Sequence, residues 1–215
     1  MEKMDDFFAA RADGYDDHML NEVGGCREAY EKMAELIPDG TENLLDLGCG
    51  TGLELAGIFK SFPNVSVTGI DLSKAMLEKL SAKYSDKNIT LINADYFSTD
   101  LGLGRFDTAI SFQTMHHFSH DMKISLYKKI LNSLKSGGVY IECDYMAETQ
   151  AVEDHWYAEN VRIRKEMNIP ENEFYHFDTP CTVENQIKMF KAAGFASAEK
   201  VYRVENTTII IAKKD

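Results

Sequence analysis

Three glycines stand at alternate positions in Leu44-Leu45-Asp46-Leu47-Gly48-Cys49-Gly50-Thr51-Gly52. Lacking a Cβ, they let the backbone turn sharply and let a ligand approach it closely. The stretch follows an apolar run that suits a strand and precedes one, Leu53 to Ser61, that suits a helix. Asp71 follows about twenty residues later, at the end of a second apolar run. A glycine turn in that setting, with an acid at the next strand end, meets the needs of nucleotide recognition, because the carboxylate can accept hydrogen bonds from a ribose diol. A plain tight turn is the alternative.

Other residues could carry acceptor chemistry. His116, His117 and His120 cluster after a fourth apolar run, beside Asp121. Histidine titrates near neutrality, so His117 and His116 are candidate general bases. Metal sites need convergent ligands, and adjacent histidines diverge, so no metal site is expected. Trp156, Tyr157, Tyr175 and Phe177 are candidates for lining an acceptor pocket, where aromatic faces can hold a cationic centre. Core packing is the competing reading. Cys26, Cys49, Cys143 and Cys181 include no close pair. They read as reduced thiols in a cytoplasmic setting.

The elements that must position these residues follow from periodicity. Residues 3–37 have helical spacing, with Cys26, Tyr30, Met33 and Ile37 on one face. Pro38-Asp39-Gly40 is a turn. Apolar strands near 44–47, 65–70, 89–92, 106–112 and 139–143 then alternate with helices. Ser73 is placed to cap the second of these helices, which carries Met76, Leu77, Leu80 and Tyr84. The helix after His120 carries Ile124, Tyr127, Leu131 and Leu134. This rhythm means a parallel sheet with helices on both faces. It breaks at 146–180, where Val152, Trp156, Ile163 and Met167 suggest a helix with an apolar stripe. Two strands close the chain, joined by Glu205-Asn206. That link is too short for a parallel crossover, so they form an antiparallel hairpin.

The whole is expected to be an α/β fold: a doubly wound, Rossmann-like sheet of seven mostly parallel strands with N-terminal helices and a helical insert before the sixth strand. Residues 1–40 read as a helical lid and 41–215 as the main domain, with 146–180 on the substrate side. The chain has 215 residues and a net charge of −12. That acidity argues against a nucleic-acid partner and against anionic lipid. No signal peptide or membrane-length apolar run is seen. Oligomeric state is not legible.

The glycine segment resembles motif I of class I S-adenosylmethionine-dependent methyltransferases, acidic-x-Gly-x-Gly-x-Gly. A dinucleotide fold would usually show glycine where Leu53 stands. Gly69-Ile70-Asp71-Leu72-Ser73, Asn93-Ala94-Asp95, Leu134-Lys135-Ser136-Gly137-Gly138 and the terminal hairpin match further. The resemblance implies S-adenosylmethionine as cofactor and S-adenosylhomocysteine as product. It implies that Gly48 and Gly50 pass under the amino-acid part, that Asp46 helps hold the ammonium, and that Asp71 grips the ribose. Leu72 and Met76 would pack on the adenine, Asp95 would accept from its amine with Tyr96 alongside, and Gln113 would lie near the methionine moiety. An N-terminal stretch, Phe8 to Asp16, is similar to segments that fold over the cofactor in small-molecule methyltransferases. It would bring Arg11 to the cofactor carboxylate and Tyr15 beside it.

The implied activity is methyl transfer to a small-molecule acceptor by in-line displacement. The 182–195 segment is also similar to the tail of carboxy-S-adenosylmethionine synthase. That enzyme uses an arginine of the insert for an extra carboxylate. Here Glu166 to Thr179 contains none, and Arg162 and Arg164 lie earlier. A non-catalytic S-adenosylmethionine-binding module is a third reading, and a dinucleotide oxidoreductase a fourth.

Overall fold

The computed structural model describes residues 1–170 and 173–215. Seven strands form one sheet: β1 (Asn43–Leu47), β2 (Ser66–Asp71), β3 (Ile89–Asn93), β4 (Phe106–Phe112), β5 (Leu134–Tyr145), β6 (Ser197–Val204) and β7 (Thr207–Lys213). Their spatial order is β3-β2-β1-β4-β5-β7-β6. β1 to β5 pair in parallel, and β7 runs antiparallel to both β5 and β6. The expected sheet and closing hairpin are therefore present.

Helices cover both faces: α4 (Leu55–Ser61), α5 (Lys74–Lys83), α6 (His120–Ser133), α7 (Gln150–Glu166) and α8 (Val183–Ala193). The central strands are apolar on both sides because both sides are covered. Leu45, Leu47 and Ala109 pack into one core, while Leu44 and Ile110 pack into the other. Alternation along β1 places Asp46 on the face of Leu44.

The N-terminal helical stretch is divided into α1 (Met4–Arg11), α2 (Tyr15–Asn21) and α3 (Cys26–Leu36). Gly14 and Gly24-Gly25 stand at the breaks, where the helical spacing of apolar residues does not reveal a change of direction. α3 packs Cys26, Tyr30 and Met33 into the core as expected.

One expected face is wider than its spacing suggested, with Tyr127 and Leu134 buried as expected, and another is not core. On α6 the buried residues are Lys123, Leu126, Tyr127, Ile130 and Ser133, while Ile124 and Leu131 are only half-buried. Lys123 is wholly buried, and its Nζ donates to Cys181 Sγ at 3.5 Å. On α7 the expected apolar stripe is not core: Trp156 and Met167 are exposed, and Glu153 is the buried residue. Glu153 accepts from the backbone N–H of Thr182 and the side-chain amide of Asn185. Those bonds dock α7 against the start of α8 through polar contacts.

Candidate active site

Strand order reverses between β1 and β4, and open parallel sheets bind ligands beyond the strand ends at such a switch point. A narrow cleft opens there, with about 580 Å³ of empty space when the solvent at its mouth is included. It is lined by Gly48 and Gly50 after β1, by Asp71, Leu72 and Met76 around the end of β2, by Asp95 and Tyr96 after β3, and by Gln113 after β4. Tyr15 and Phe8 close it from the N-terminal helices. The sequence-predicted binding residues thus converge, apart from Asp46 and Arg11.

The glycine loop is held by the acid expected to bind the ligand. Asp71 Oδ2 accepts from Gly50 N at 2.8 Å, and Oδ1 accepts from Ser73 N at 2.7 Å. Burial raises the Asp71 pKa, and these two N–H groups work against that rise. Ser73 does not cap α5 through its hydroxyl, as its spacing suggested. The hydroxyl oxygen is buried without a partner, because the Asp71 carboxylate organises this turn.

Gly48 and Gly50 differ in what surrounds them. A Cβ on Gly48 would fall 2.6 Å from Thr114 Oγ1. A Cβ on Gly50 would meet nothing nearer than 3.9 Å, so it would stand in the cleft. Both have positive φ, 71° and 46°. Gln113 has a φ of 50°, which is uncommon for a side-chain-bearing residue and tends to occur at functional sites. Tyr96 and Thr114 share a hydroxyl hydrogen bond at 3.0 Å across the cleft floor.

Asp46 does not line the cleft. It is buried with both carboxylate oxygens unpartnered, facing the equally buried Glu54. Burial pushes both acids up, reinforced by their mutual repulsion for Asp46, and Glu54 reaches about 7. Asp46 is thus beneath the loop, since it lies on the inner face of β1. Arg11 is also displaced from the expected contact. It donates to Glu2 Oε2 at 3.0 Å and to Phe7 O at 2.9 Å, and stacks on the Phe7 ring. It lines a second cleft instead.

The N-terminal segment is docked by a residue the sequence reading did not single out for this purpose. Asp16 accepts from the Thr51 hydroxyl of the glycine loop and from Lys83 Nζ at 2.7 Å. Asp13 pairs with Lys79. The chain start also pairs with the insert, through Met4 N to Phe174 O and His176 N to Glu2 O.

The second cleft is larger, about 1910 Å³ of empty space open to solvent, and shares Phe8, Tyr15 and Gln113 with the first. His116, His117, His176 and Asp178 form one part of its wall. A 3₁₀ turn, Met115–His117, carries the two adjacent histidines. His116 Nδ1 is 2.6 Å from Asp144 Oδ1, and its Nε2 is 3.5 Å from Asp178. Burial opposes charge on His116, but Asp144 and Asp178 outweigh it and push the pKa up to about 10. Already holding its proton near neutrality, His116 is unsuited to the general-base role suggested for it. Burial and the His116 charge lower the His117 pKa, and burial lowers that of His176 to about 4.

The insert contributes differently from expectation. Trp156, Tyr157, Tyr175 and Phe177 line neither cleft, whereas Phe174, His176 and Asp178 do. Tyr157 donates to Phe118 O, and Trp156 packs edgewise on Phe177. The 174–178 stretch is a loop, and Phe174, His176 and Asp178 are its residues that face the clefts.

Residues 44–138 match the family model described as a methyltransferase domain. Streptomyces venezuelae DesVI shares the fold with a TM-score of 0.70 at 17% identity, over 95% of this chain and 98% of that one. Human N-acetylserotonin methyltransferase, solved in complex with S-adenosylmethionine, gives a TM-score of 0.66 at 14% identity, over 97% of this chain and 55% of that one. Fold and glycine cleft together define the class I methyltransferase architecture. The match to a methyltransferase domain spans 95 of the 215 residues and includes the glycine loop, and the chain has the fold of solved S-adenosylmethionine-dependent methyltransferases, so S-adenosylmethionine is the cofactor against which the cleft is tested. A carboxy-S-adenosyl-L-methionine synthase from Nautilia profundicola is 26% identical over 227 residues, covering all of this chain and 96% of the relative.

The residues present fit that cofactor. The space above Gly50 is free, a carboxylate stands at the end of β2, and Leu72 and Met76 offer apolar surface beside Asp95. No helix among the described residues is long and apolar enough to cross a membrane.

Proposed function

We propose that the protein transfers a methyl group to a small-molecule acceptor held in the second cleft. The observation that carries this reading is the pair of adjoining clefts, one matching the cofactor and the other walled by His116, His117, His176 and Asp178. When bound, S-adenosylmethionine supplies a methyl group already activated by the sulfonium charge. What remains for the protein is to align acceptor and methyl and to exclude water, an orientation effect that can be worth several kcal/mol.

Asp71 would hold the ribose, Gly48 and Gly50 would admit the amino-acid part, and Asp95 with Leu72, Met76 and Tyr96 would receive the adenine. Gln113 and Tyr15 stand where the clefts meet and would border the reacting centre. His117 and His116 are proposed as polar contacts of the acceptor. Residues 1–40 would act as a lid over domain 41–215, with the 146–180 insert facing the acceptor. The four buried, unpaired cysteines suit a reducing cytoplasm.

A second reading, carboxy-S-adenosylmethionine synthesis, is favoured by the full-length similarity to synthases of that name. Its product carries one more carboxylate than S-adenosylmethionine, which calls for a free cation. Arg162 is tied to Glu159 and Glu166, and Arg164 to the carbonyls of Pro170 and Glu173. In the second cleft the His116 cation is already paired with Asp144 and Asp178. These observations favour methyl transfer. Mass spectrometry of ligand released from the purified protein, with turnover against a panel of amines, phenols, thiols and carboxylates, tests the choice. Methylated product with S-adenosylhomocysteine supports the proposal. Carboxy-S-adenosylmethionine as released ligand would overturn it.

A further inference from the structure

The wall of the second cleft gathers more imidazole nitrogens around one carboxylate oxygen than a single ion pair needs. Three imidazole nitrogens surround one carboxylate oxygen. Asp178 Oδ1 lies 3.3 Å from His117 Nδ1, 3.5 Å from His116 Nε2 and 3.8 Å from His176 Nε2. That oxygen is shielded from solvent and has no hydrogen-bond partner. The donor atoms of His116, His117 and Asp178 all lie within 4.8 Å of one another.

The distances from Asp178 Oδ1 to His117 and His116 match those between ligands of one cation, and the nitrogen–nitrogen pair, within 4.8 Å, would close to about the same spacing on binding. Nitrogen and oxygen donors about 2.0–2.1 Å from a tetrahedral centre stand about 3.3 Å from each other. Adjacent histidines converge here because they use different ring nitrogens. His116 reaches with the far Nε2 and His117 with the near Nδ1, which offsets the divergence of their Cα–Cβ bonds.

The outer contact of His116 is also that of a metal ligand. Its Nδ1 faces Asp144 Oδ1 at 2.6 Å, and Asp144 is completely buried. A carboxylate behind a histidine holds the Nδ1 proton, so a metal arriving at Nε2 would displace the Nε2 proton to solvent and take that nitrogen's lone pair. Two imidazoles and one carboxylate suit a divalent first-row transition metal better than magnesium or calcium, which prefer all-oxygen sets.

We propose that His116, His117 and Asp178 bind a divalent transition-metal cation such as Zn²⁺, with His176 placed to become a fourth ligand. The site stands on these side chains alone; its role rests on the methyl-transfer reading. A cation here would face the acceptor cleft near Gln113 and Tyr145. It would coordinate an acceptor hydroxyl or thiol, whose proton would leave to solvent, so that the oxygen or sulfur is presented as an anion.

The test uses tag-free full-length protein, stripped with chelator and titrated with Zn²⁺ by calorimetry and with Co²⁺ by visible absorption. The expected result is one metal per chain, with Co²⁺ d–d bands that Zn²⁺ abolishes. Asp178→Asn should weaken binding at least 100-fold and Asp144→Asn by about 10–100-fold, the range for loss of an outer-shell partner. Circular dichroism checks folding, and His176→Ala supplies a variant at a less buried position that should also weaken binding and alter the Co²⁺ bands. Wild-type affinity no tighter than that of Asp178→Asn would overturn the proposal and leave the cluster as ion pairs. S-adenosylhomocysteine titrated separately into the same protein tests the cofactor cleft. Its binding with no metal bound rejects only the metal site, while metal binding with no S-adenosylhomocysteine bound rejects only the methyl-transfer reading.

Discussion

Replacing Asp71 by alanine should damage stability and cofactor binding together, by separable amounts. In the folded protein this carboxylate accepts from two backbone N–H groups, those of Gly50 and Ser73. A buried donor left without its acceptor costs roughly 1–3 kcal/mol. Ser73 is buried and carries the full cost, whereas Gly50 borders the cleft, where water can partly replace the carboxylate. The sum is about 2–4 kcal/mol, a large part of the 5–15 kcal/mol typical of a domain but short of unfolding it. Loss of the ribose contact removes a further interaction of about 1.5–3 kcal/mol, or roughly 10–150-fold in affinity. Urea denaturation measures the first quantity. Calorimetry with S-adenosylhomocysteine, at a temperature where the variant is folded, measures the second. An unchanged urea midpoint would show that the loop does not depend on this carboxylate. Unchanged affinity in a folded variant would remove Asp71 from the cofactor site.

Gly50→Ala should cost only the backbone strain of a left-handed alanine, about 1–2 kcal/mol, yet weaken S-adenosylhomocysteine binding at least tenfold, because its Cβ enters the cleft. Normal affinity by calorimetry would contradict the cradle assigned to this loop. Burial holds the Glu54 pKa at about 7, above the value of about 4.3 expected in an unfolded chain. The folded state therefore keeps a proton that the unfolded state releases, and stability should fall as pH rises from about 4 to 7 and then level off. Glu54→Gln should shrink the difference between urea midpoints at pH 5 and pH 8. Limited proteolysis should find residues 1–20 better protected with S-adenosylhomocysteine than without, and Asp16→Ala should abolish that gain by releasing Thr51 and Lys83. Equal cleavage with and without ligand would reject the lid.

Local pattern carried the glycine-loop cleft of this protein. Parallel strands buried on both faces read as apolar runs, glycines must occupy the loop where backbone bends and ligand approaches, and an acid at the next strand end lies within the same βαβ unit. The two-residue link at Glu205-Asn206 alone required an antiparallel hairpin, because chain length limits what a connection can cross. Arg11 and Asp46 show where local reading stopped. Their residue types suited the cofactor, but Arg11 found Glu2, and strand alternation turned Asp46 into the core beside Glu54. Lys123 shows the same limit, since only packing against Cys181 and the buried acids of β5 decides that a lysine faces inward. The second cleft belonged to tertiary structure almost entirely. His116 and Asp178 are 62 residues apart and meet only because β5 and the insert fold back over the end of β4, with Asp144 closing behind them. Spacing along a chain records contacts within a helix, a strand or a tight turn. It does not record which distant side chains the finished sheet brings together.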